Sequence, residues 1–207
     1  FLTKLKLMNK KQKFMWDDLL LPFNMIQLYA TGAFPMADEM TQEIHWYKPE
    51  TRTIIPLDNF NVPRSLKKIL KEHKFKIEYD HDFLSVVKNC ANRKITWINQ
   101  KLIDAYLNLE KLGHIHTVEV YEEDNLIGGL YGISYQGAFF GESMFSNKPQ
   151  ASKIALVYLV ERLRAKGFVL LDVQYPTDHL AMFGAIRISF FDYQKLLKKA
   201  YKIECEF

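Results

Sequence analysis

The chain has 207 residues, which is enough for one medium domain or for a small domain joined to a larger one, and 48% of its residues are hydrophobic. Its two cysteines argue against a disulfide framework, and no apolar run approaches the roughly 20 residues of a membrane helix, so we expect a cytoplasmic protein that contacts no membrane. The net charge of +4 suits a polyanionic partner without requiring one.

Residues 1–60 are predicted to form a small N-terminal domain of short elements. Aromatic residues are frequent in this segment, and Gly32 and three prolines mark turns. A short helix is predicted over 26–30 and ends at Gly32, because glycine favours the backbone conformation that closes a helix.

Residues 61–207 are predicted to form a larger domain that begins with helices and one strand. Apolar residues at helical spacing indicate the helices, and an alternating pattern indicates the strand. The predicted elements are, in order, a helix over 65–71 that begins at Pro63 or Arg64, a strand over 75–79, an amphipathic segment over 83–90 and a helix over 99–112 that ends at Gly113.

The second half of the chain has the pattern of an antiparallel meander followed by a helix and a returning strand. The predicted elements are strands over 117–121, 126–135 and 138–144, a helix over 151–166, a strand over 169–175 and a helix over 192–199. This order is typical of a GNAT-like acyltransferase. We therefore predict an α+β fold, with a small N-terminal domain and a GNAT-like domain whose mixed, largely antiparallel sheet is flanked by helices. Because the loop over 146–150 contains no glycine, coenzyme A is a poor candidate cofactor.

Three polar side chains interrupt apolar, strand-like runs and indicate a site. Glu142 lies within one run, while Asp172 and Gln174 lie two apart in another and so share one strand face. A carboxylate is costly to bury unless another group pairs with it or uses it. The alternatives are a solvent-exposed strand end for Asp172 and Gln174, and an ion pair with a nearby basic residue for Glu142.

An apolar stripe on the long predicted helix has two interpretations. Leu156, Leu159 and Leu163 recur at helical spacing, a pattern most often found in a core. With apolar residues of the facing strands they could instead line a pocket for an apolar side chain, and the sequence alone does not decide between the two. No metal site is predicted, because His114 and His116 have no third ligand nearby.

Basic and aromatic residues occur together in two segments. Trp97 follows Arg93 and Lys94, a combination that suits base stacking and phosphate contact, although a contact between domains explains it equally well. A dense basic run suits either a solvated helix face or a contact with nucleic acid. Its members are Arg64, Lys67, Lys68, Lys71, Lys74 and Lys76.

Motifs that recur in order over residues near 28 to 200 make the chain resemble the leucyl/phenylalanyl-tRNA–protein transferase family. The most specific are GAFPM (32–36), TWI (96–98), GGLYG (128–132), FGESMFS (140–146) and DVQ (172–174). The resemblance implies transfer of Leu or Phe, and of Met as a further donor, from aminoacyl-tRNA to the α-amine of proteins that begin with Arg or Lys. It also implies that the product is a degradation signal read by a protease adaptor, and that no cofactor or metal is needed.

The resemblance also implies roles for individual residues. Asp172 and Gln174 would hold and deprotonate the acceptor amine, and Glu142 would help to bind the basic N-terminal residue. The donor side chain would enter a pocket formed by Leu130, Phe139, Met144, Leu156, Leu159, Leu163 and Leu171. The tRNA would contact Trp97, Tyr106, Met36, Arg64, Lys67 and Lys68. The family usually has Trp at the position of Met36.

Two rival functions remain open at the level of the sequence. One is an aminoacyl-tRNA-dependent transferase with another acceptor, such as a peptidoglycan precursor; Glu142 argues against it, because a carboxylate suits a cationic acceptor. The other is a noncatalytic tRNA-binding protein, which would have lost at least one of Asp172, Gln174 and Glu142.

Overall fold

A computed structural model describes residues 18–72 and 75–207, and the elements below are those of this part of the chain. The strands are β1 (Phe34–Ala37), β2 (Ile44–Tyr47), β3 (Thr51–Ile55), β4 (Lys76–Tyr79), β5 (Ile115–Glu122), β6 (Asn125–Tyr135), β7 (Ala138–Ser146), β8 (Leu170–Gln174) and β9 (Ile186–Ser189). The helices are α1 (Pro22–Ala30), α2 (Arg64–Glu72), α3 (Phe83–Ala91), α4 (Gln100–Glu110), α5 (Ala151–Ala165), α6 (Asp178–Ala181) and α7 (Phe190–Ala200).

Seven of these strands form one mixed sheet in the order β4-β5-β6-β7-β8-β3-β9. All neighbours are antiparallel except β7 and β8, which are parallel and are connected by the long helix α5. A parallel pair needs such a crossover, because a tight turn can join only antiparallel strands. The predicted fold class, a mixed and largely antiparallel sheet flanked by helices, is confirmed.

The N-terminal part contributes to both sheets. β1 and β2 pair as a separate antiparallel hairpin. β3 lies inside the predicted N-terminal domain (1–60), yet it pairs with β8 on one side and β9 on the other within the large sheet. The division of the chain into domains at residue 60 stays a prediction.

The predicted helices and central strands are confirmed, whereas several short elements were not predicted. α1 begins at Pro22 rather than at Ile26, since proline is favoured in the first turn of a helix. The edge strand β9 has mostly exposed residues, so it lacks the alternation on which strand prediction depends. Helix α6 has only 4 residues, too few for a periodic pattern.

Two clusters of buried apolar residues cover the two faces of the large sheet. Because side chains alternate along a strand, Leu170 and Phe140 belong to one cluster and Leu171 and Phe139 to the other. The first cluster packs under α1, α3, α4 and α7, and the second packs under α5 and α2. Among the described residues no helix is both long and apolar enough to cross a membrane.

Candidate active site

A cavity of about 440 Å³ opens where the parallel strands β7 and β8 separate. Their pairing ends at Phe140 and Asp172, and the next residues of both strands line the cavity. The size is typical of a small-molecule site. The lining residues are Phe34, Met36, Arg93, Trp97, Leu130, Tyr131, Gly141, Glu142, Ser143, Met144, Leu156, Leu159, Leu171, Val173, Gln174, Tyr175, Thr177, His179 and Leu180.

Glu142 is the carboxylate in the wall of this cavity. Its side chain is 9% exposed, and its two oxygens accept hydrogen bonds from the Tyr106 hydroxyl and from Nε2 of Gln174, each at 3.0 Å. Burial raises the pKa of Glu142 to about 7, and the hydrogen bond from Tyr106 opposes part of that rise. The carboxyl group therefore changes its protonation state near neutral pH, where a general base is most useful.

Gln174 is held in an unusual backbone conformation. Its φ angle is 57°, in the left-handed region that a non-glycine residue rarely adopts, and its backbone N–H donates to Oδ1 of Asp172 at 2.9 Å. This geometry turns the side chain of Gln174 into the cavity, where its amide nitrogen reaches Glu142. Such strain persists only where the surrounding structure enforces it, and it is frequent at functional sites.

Asp172 lies behind the cavity rather than in its wall. The residue is 0% exposed, and its oxygens accept hydrogen bonds from Arg52, from the Tyr193 hydroxyl and from the backbone of Gln174. An acceptor amine cannot reach a carboxylate that is sealed and fully paired in this way. Of the two residues predicted to hold and deprotonate the amine, only Gln174 lines the cavity, whereas Asp172 accepts the backbone N–H of Gln174.

Tyr106, predicted to contact tRNA, is likewise buried. It is 0% exposed, and its hydroxyl lies 3.2 Å from that of Tyr29 while it donates to Glu142. Tyr106 therefore supports the carboxylate from inside the core and is not available to a macromolecular partner. Sequence reasoning missed Tyr29, because no local pattern places a tyrosine of α1 beside one of α4.

The structure brings together five of the seven residues predicted for the donor pocket, namely Leu130, Met144, Leu156, Leu159 and Leu171. Phe139 and Leu163 do not line the cavity. Phe139 lies where β7 and β8 are still paired, and Leu163 lies one helical turn beyond Leu159, so both are buried in the core under α5.

The other predicted tRNA contacts fall in two places. Met36 and Trp97 line the cavity, and the backbone N–H of Ala37 donates to the carbonyl of Trp97 at 3.0 Å. Arg64, Lys67 and Lys68 are exposed on α2 and do not line the cavity. Lys74, a member of the predicted basic run, lies outside the described residues.

The cavity wall holds further polar groups beside the pair of Glu142 and Gln174. Arg93 donates from Nη2 to Oγ of Ser143 at 2.9 Å and to the carbonyl of Met144. The buried Nε2 of His179 and the buried hydroxyl of Tyr175 have no hydrogen-bond partner within the described part of the chain. Arg93 is named together with Trp97 in the sequence analysis, whereas Tyr175 and His179 are given no role there.

His114 and His116 have roles within the sheet. Both hydrogen-bond Ser134, at 3.3 Å and 2.9 Å respectively, and Nδ1 of His116 lies 2.9 Å from the Asp80 carboxylate. Over residues 18–72 and 75–207 no group of three or more His, Cys, Asp and Glu side chains is arranged to hold a metal ion.

Comparison with known proteins identifies two matching families along the chain. The family described as leucyl/phenylalanyl-tRNA protein transferase matches residues 54–198, and the family described as its N-terminal domain matches residues 19–50. Among solved structures, L-PGS from Bacillus licheniformis is similar at 13% identity and a TM-score of 0.44. That match covers 72% of this chain and 56% of L-PGS, so the chain spans little more than half of that protein.

Proposed function

Since the chain belongs to the leucyl/phenylalanyl-tRNA protein transferase family, we propose that it transfers an aminoacyl group from aminoacyl-tRNA to the α-amine of a protein. We propose Leu- and Phe-tRNA as donors, with Met-tRNA as a further donor, and proteins that begin with Arg or Lys as acceptors. The product would be a degradation signal read by a protease adaptor in the cytoplasm. The observation that carries the proposal is the hydrogen-bonded pair of Glu142 and Gln174 in the wall of a largely apolar cavity.

The apolar wall supports the proposed donors. Leu130, Met144, Leu156, Leu159 and Leu171 enclose the part of the cavity next to α5. The side chains of Leu, Phe and Met gain from leaving water for such a surface. A side chain branched at Cβ, as in Val or Ile, would crowd the entrance to the same space.

The reaction itself needs positioning and proton transfer rather than a covalent intermediate. The acceptor nitrogen attacks the ester carbonyl carbon of the aminoacyl-tRNA, a C–N bond forms, and the C–O bond to the ribose breaks. The nitrogen loses one proton, and the ribose oxygen that leaves takes up one proton. An α-amine has a pKa of about 7.7–8.0, so part of it is already neutral near physiological pH.

Glu142 and Gln174 are the groups that we propose for the amine. Gln174 donates its amide N–H to Glu142, which leaves its amide oxygen free to accept a hydrogen bond from the amine. Glu142, with its pKa raised to about 7, then receives the proton. Asp172 would act through Gln174, by fixing its backbone, and would not touch the substrate.

The same carboxylate supports the preference for a cationic acceptor. Glu142 is the one acidic residue among those that line the cavity, so a peptide with Arg or Lys in first position meets a negative charge there. Charge-assisted hydrogen bonds are stronger than neutral ones. Peptides that begin with a neutral residue lack this contribution.

The proposal is tested by incubating the protein with labelled Leu-, Phe-, Met- or Val-tRNA and with peptides that differ only in their first residue. We expect transfer from Leu- and Phe-tRNA to peptides that begin with Arg or Lys, and little from Val-tRNA. Equal transfer to a peptide that begins with Ala would refute the acceptor preference. Binding of aminoacyl-tRNA without transfer to any peptide would instead indicate a noncatalytic tRNA-binding protein.

A further inference from the structure

Arg52 forms a buried, fully engaged ion pair behind the cavity. It lies on β3, is 1% exposed, and its Nε lies 2.9 Å from both oxygens of Asp172, while Nη2 lies 2.6 Å from Oδ2. Nη1 donates to the carbonyl of Gly32 at 3.0 Å. All three nitrogens of the guanidinium are therefore committed to fixed partners.

Two aromatic rings hold the guanidinium plane. Its central carbon lies 4.6 Å from the ring centroid of Phe34 and 5.0 Å from that of Tyr193. The Tyr193 hydroxyl also donates to Oδ2 of Asp172, at 2.6 Å. The ion pair thus has a fixed orientation as well as a fixed distance, which lysine could not reproduce with a single ammonium group.

A buried ion pair is poor evidence for stability alone, because apolar residues of similar volume often stabilise a protein as well or better. This ion pair, however, connects the two walls of the cavity. Through Asp172 it holds the backbone N–H of Gln174, and through Gly32 it holds the start of the segment that carries Phe34 and Met36. Each of these held residues is next to, or part of, the cavity wall.

We propose that Arg52 is a positioning residue for the transfer reaction: it fixes Asp172, and through it the strained backbone that aims Gln174 at Glu142. The inference rests on the proposed function for its kinetic part. The hydrogen bond to Asp172 maintains the strained φ of Gln174. The guanidinium of Arg52 and the hydroxyl of Tyr193 in turn fix the orientation of the Asp172 carboxylate.

The test compares Arg52→Lys with Arg164→Lys. Arg164 is exposed, donates to the backbone carbonyl of Leu57 and does not line the cavity, so its variant controls for an arginine–lysine change away from the site. In Arg52→Lys we expect kcat to fall by about a hundredfold. KM for aminoacyl-tRNA should change less than kcat, because Arg52 does not touch the apolar donor wall and reaches the tRNA side of the cavity only through Gly32 and Phe34. Arg164→Lys should keep the wild-type kcat.

A second readout does not depend on activity. Hydrogen exchange of the Gln174 backbone amide, followed by NMR, should be about tenfold faster in Arg52→Lys than in wild type and unchanged in Arg164→Lys. Unchanged exchange at Gln174 would overturn the proposal even if kcat fell. A wild-type protein without any transfer activity would refute the proposed function, while the exchange measurement would still decide the role of Arg52.

Two further variants distinguish positioning from a general loss of structure. If Arg52 acts through Gln174, adding Arg52→Lys to the Gln174→Ala variant should lower kcat little further. If Arg52→Lys instead damages the structure independently, the double variant should have a lower kcat than Gln174→Ala alone. Should Arg52→Lys fail to fold, the pair Arg52→Gln with Asp172→Asn leaves no unpaired buried charge. Wild-type kcat and Gln174 exchange in that neutral pair would refute the proposal.

Discussion

At the level of single residues, the chemistry of the site depends on how two buried carboxylates are satisfied. Asp172 has an arginine, a tyrosine hydroxyl and a backbone N–H as donors, and it is closed to substrate. Glu142 has only neutral donors and lines the cavity. A carboxylate that is buried without a cation favours its protonated form, so the pKa of Glu142 rises and the group becomes a suitable proton acceptor near neutrality.

We expect kcat/KM for an Arg-starting peptide to rise with pH through about 7, because Glu142 must lose its proton before it can accept one. Ionisation of the acceptor amine adds a rise in the same direction. In Glu142→Gln the part of the rise near pH 7 should disappear, and kcat should fall by roughly 10²–10⁴-fold. The measurement is the pH–rate profile of both proteins.

Tyr106→Phe provides the control for this assignment. The Tyr106 hydroxyl stabilises the charged form of Glu142, so its removal should raise the pKa of Glu142 further and shift the midpoint of the profile to higher pH. A midpoint that is the same in wild type, Tyr106→Phe and Glu142→Gln would show that Glu142 is not the titrating group.

At the level of elements, one apolar stripe of helix α5 packs in the core and also lines part of the cavity. Leu156, Leu159 and Leu163 are all buried, but the cavity reaches only the first two. The difference comes from the sheet beneath the helix, since β7 and β8 separate under the N-terminal part of α5 and remain paired under its C-terminal part. One stripe therefore has two environments.

Leu159→Trp should fill the donor part of the cavity and reduce transfer of Phe more than transfer of Leu, because Phe needs the longer space. The overpacking costs roughly 1–3 kcal/mol, so a thermal melt must first establish that the variant is folded. Leu163→Phe, on the same stripe but outside the cavity, should lower stability without changing the ratio of Phe to Leu transfer. An equal loss for both donors in Leu159→Trp would assign the stripe to the core alone.

The exposed basic face of α2 is expected to contact tRNA phosphates. The double variant Lys67→Ala/Lys68→Ala should weaken aminoacyl-tRNA binding. The slope of the logarithm of the binding constant against the logarithm of the salt concentration should become shallower by about 0.7–0.9 per lost phosphate contact. The measurement is the binding constant over a range of salt concentrations. Lys198→Ala/Lys199→Ala, on the exposed last turn of α7, is the matched control. Equal slopes for wild type and the α2 variant would remove α2 from the interface.

At the level of the whole molecule, the cavity is assembled from both sheets. The hairpin of β1 and β2 contributes Phe34 and Met36, and the segment before α4 contributes Arg93 and Trp97. The large sheet, α5 and the segment after β8 that includes α6 contribute the remaining wall. The ion pair of Arg52 with Asp172 and the hydrogen bond of Arg52 to Gly32 join these parts. The apolar wall and the polar pair therefore face one cavity, as the proposed transfer between two substrates requires.

The part of the cavity wall that comes from the β1–β2 hairpin allows a prediction about tighter tRNA binding. Met36→Trp introduces, in the cavity that Trp97 also lines, the aromatic residue that this family usually has, and it should tighten aminoacyl-tRNA binding. Trp97→Ala should weaken binding by roughly 1–3 kcal/mol, the usual contribution of base stacking. Both effects are measured by titration at fixed salt concentration. Unchanged affinity in both variants would exclude Met36 and Trp97 from the contact with aminoacyl-tRNA.

The sequence alone determined the elements with strong local patterns. The glycine-punctuated strands from β5 to β7, the long helix α5 and the strand β8 follow from spacing and turn residues that lie close together in the chain. The motif around Glu142 and the pair Asp172 and Gln174 pointed to the family and to the site for the same reason. Of the seven predicted pocket residues, five line the cavity.

Only the tertiary structure decided which of these residues can meet a substrate. Arg52 pairs with Asp172 across 120 positions, and Tyr106 reaches Glu142 across 36, so neither partnership leaves a local pattern in the sequence. The alternation that placed Asp172 and Gln174 on one face did not separate the buried Asp172 from Gln174, which lines the cavity and has a positive φ. The backbone holds that conformation because a buried carboxylate accepts its N–H, and such a bond exists only after distant segments have packed together.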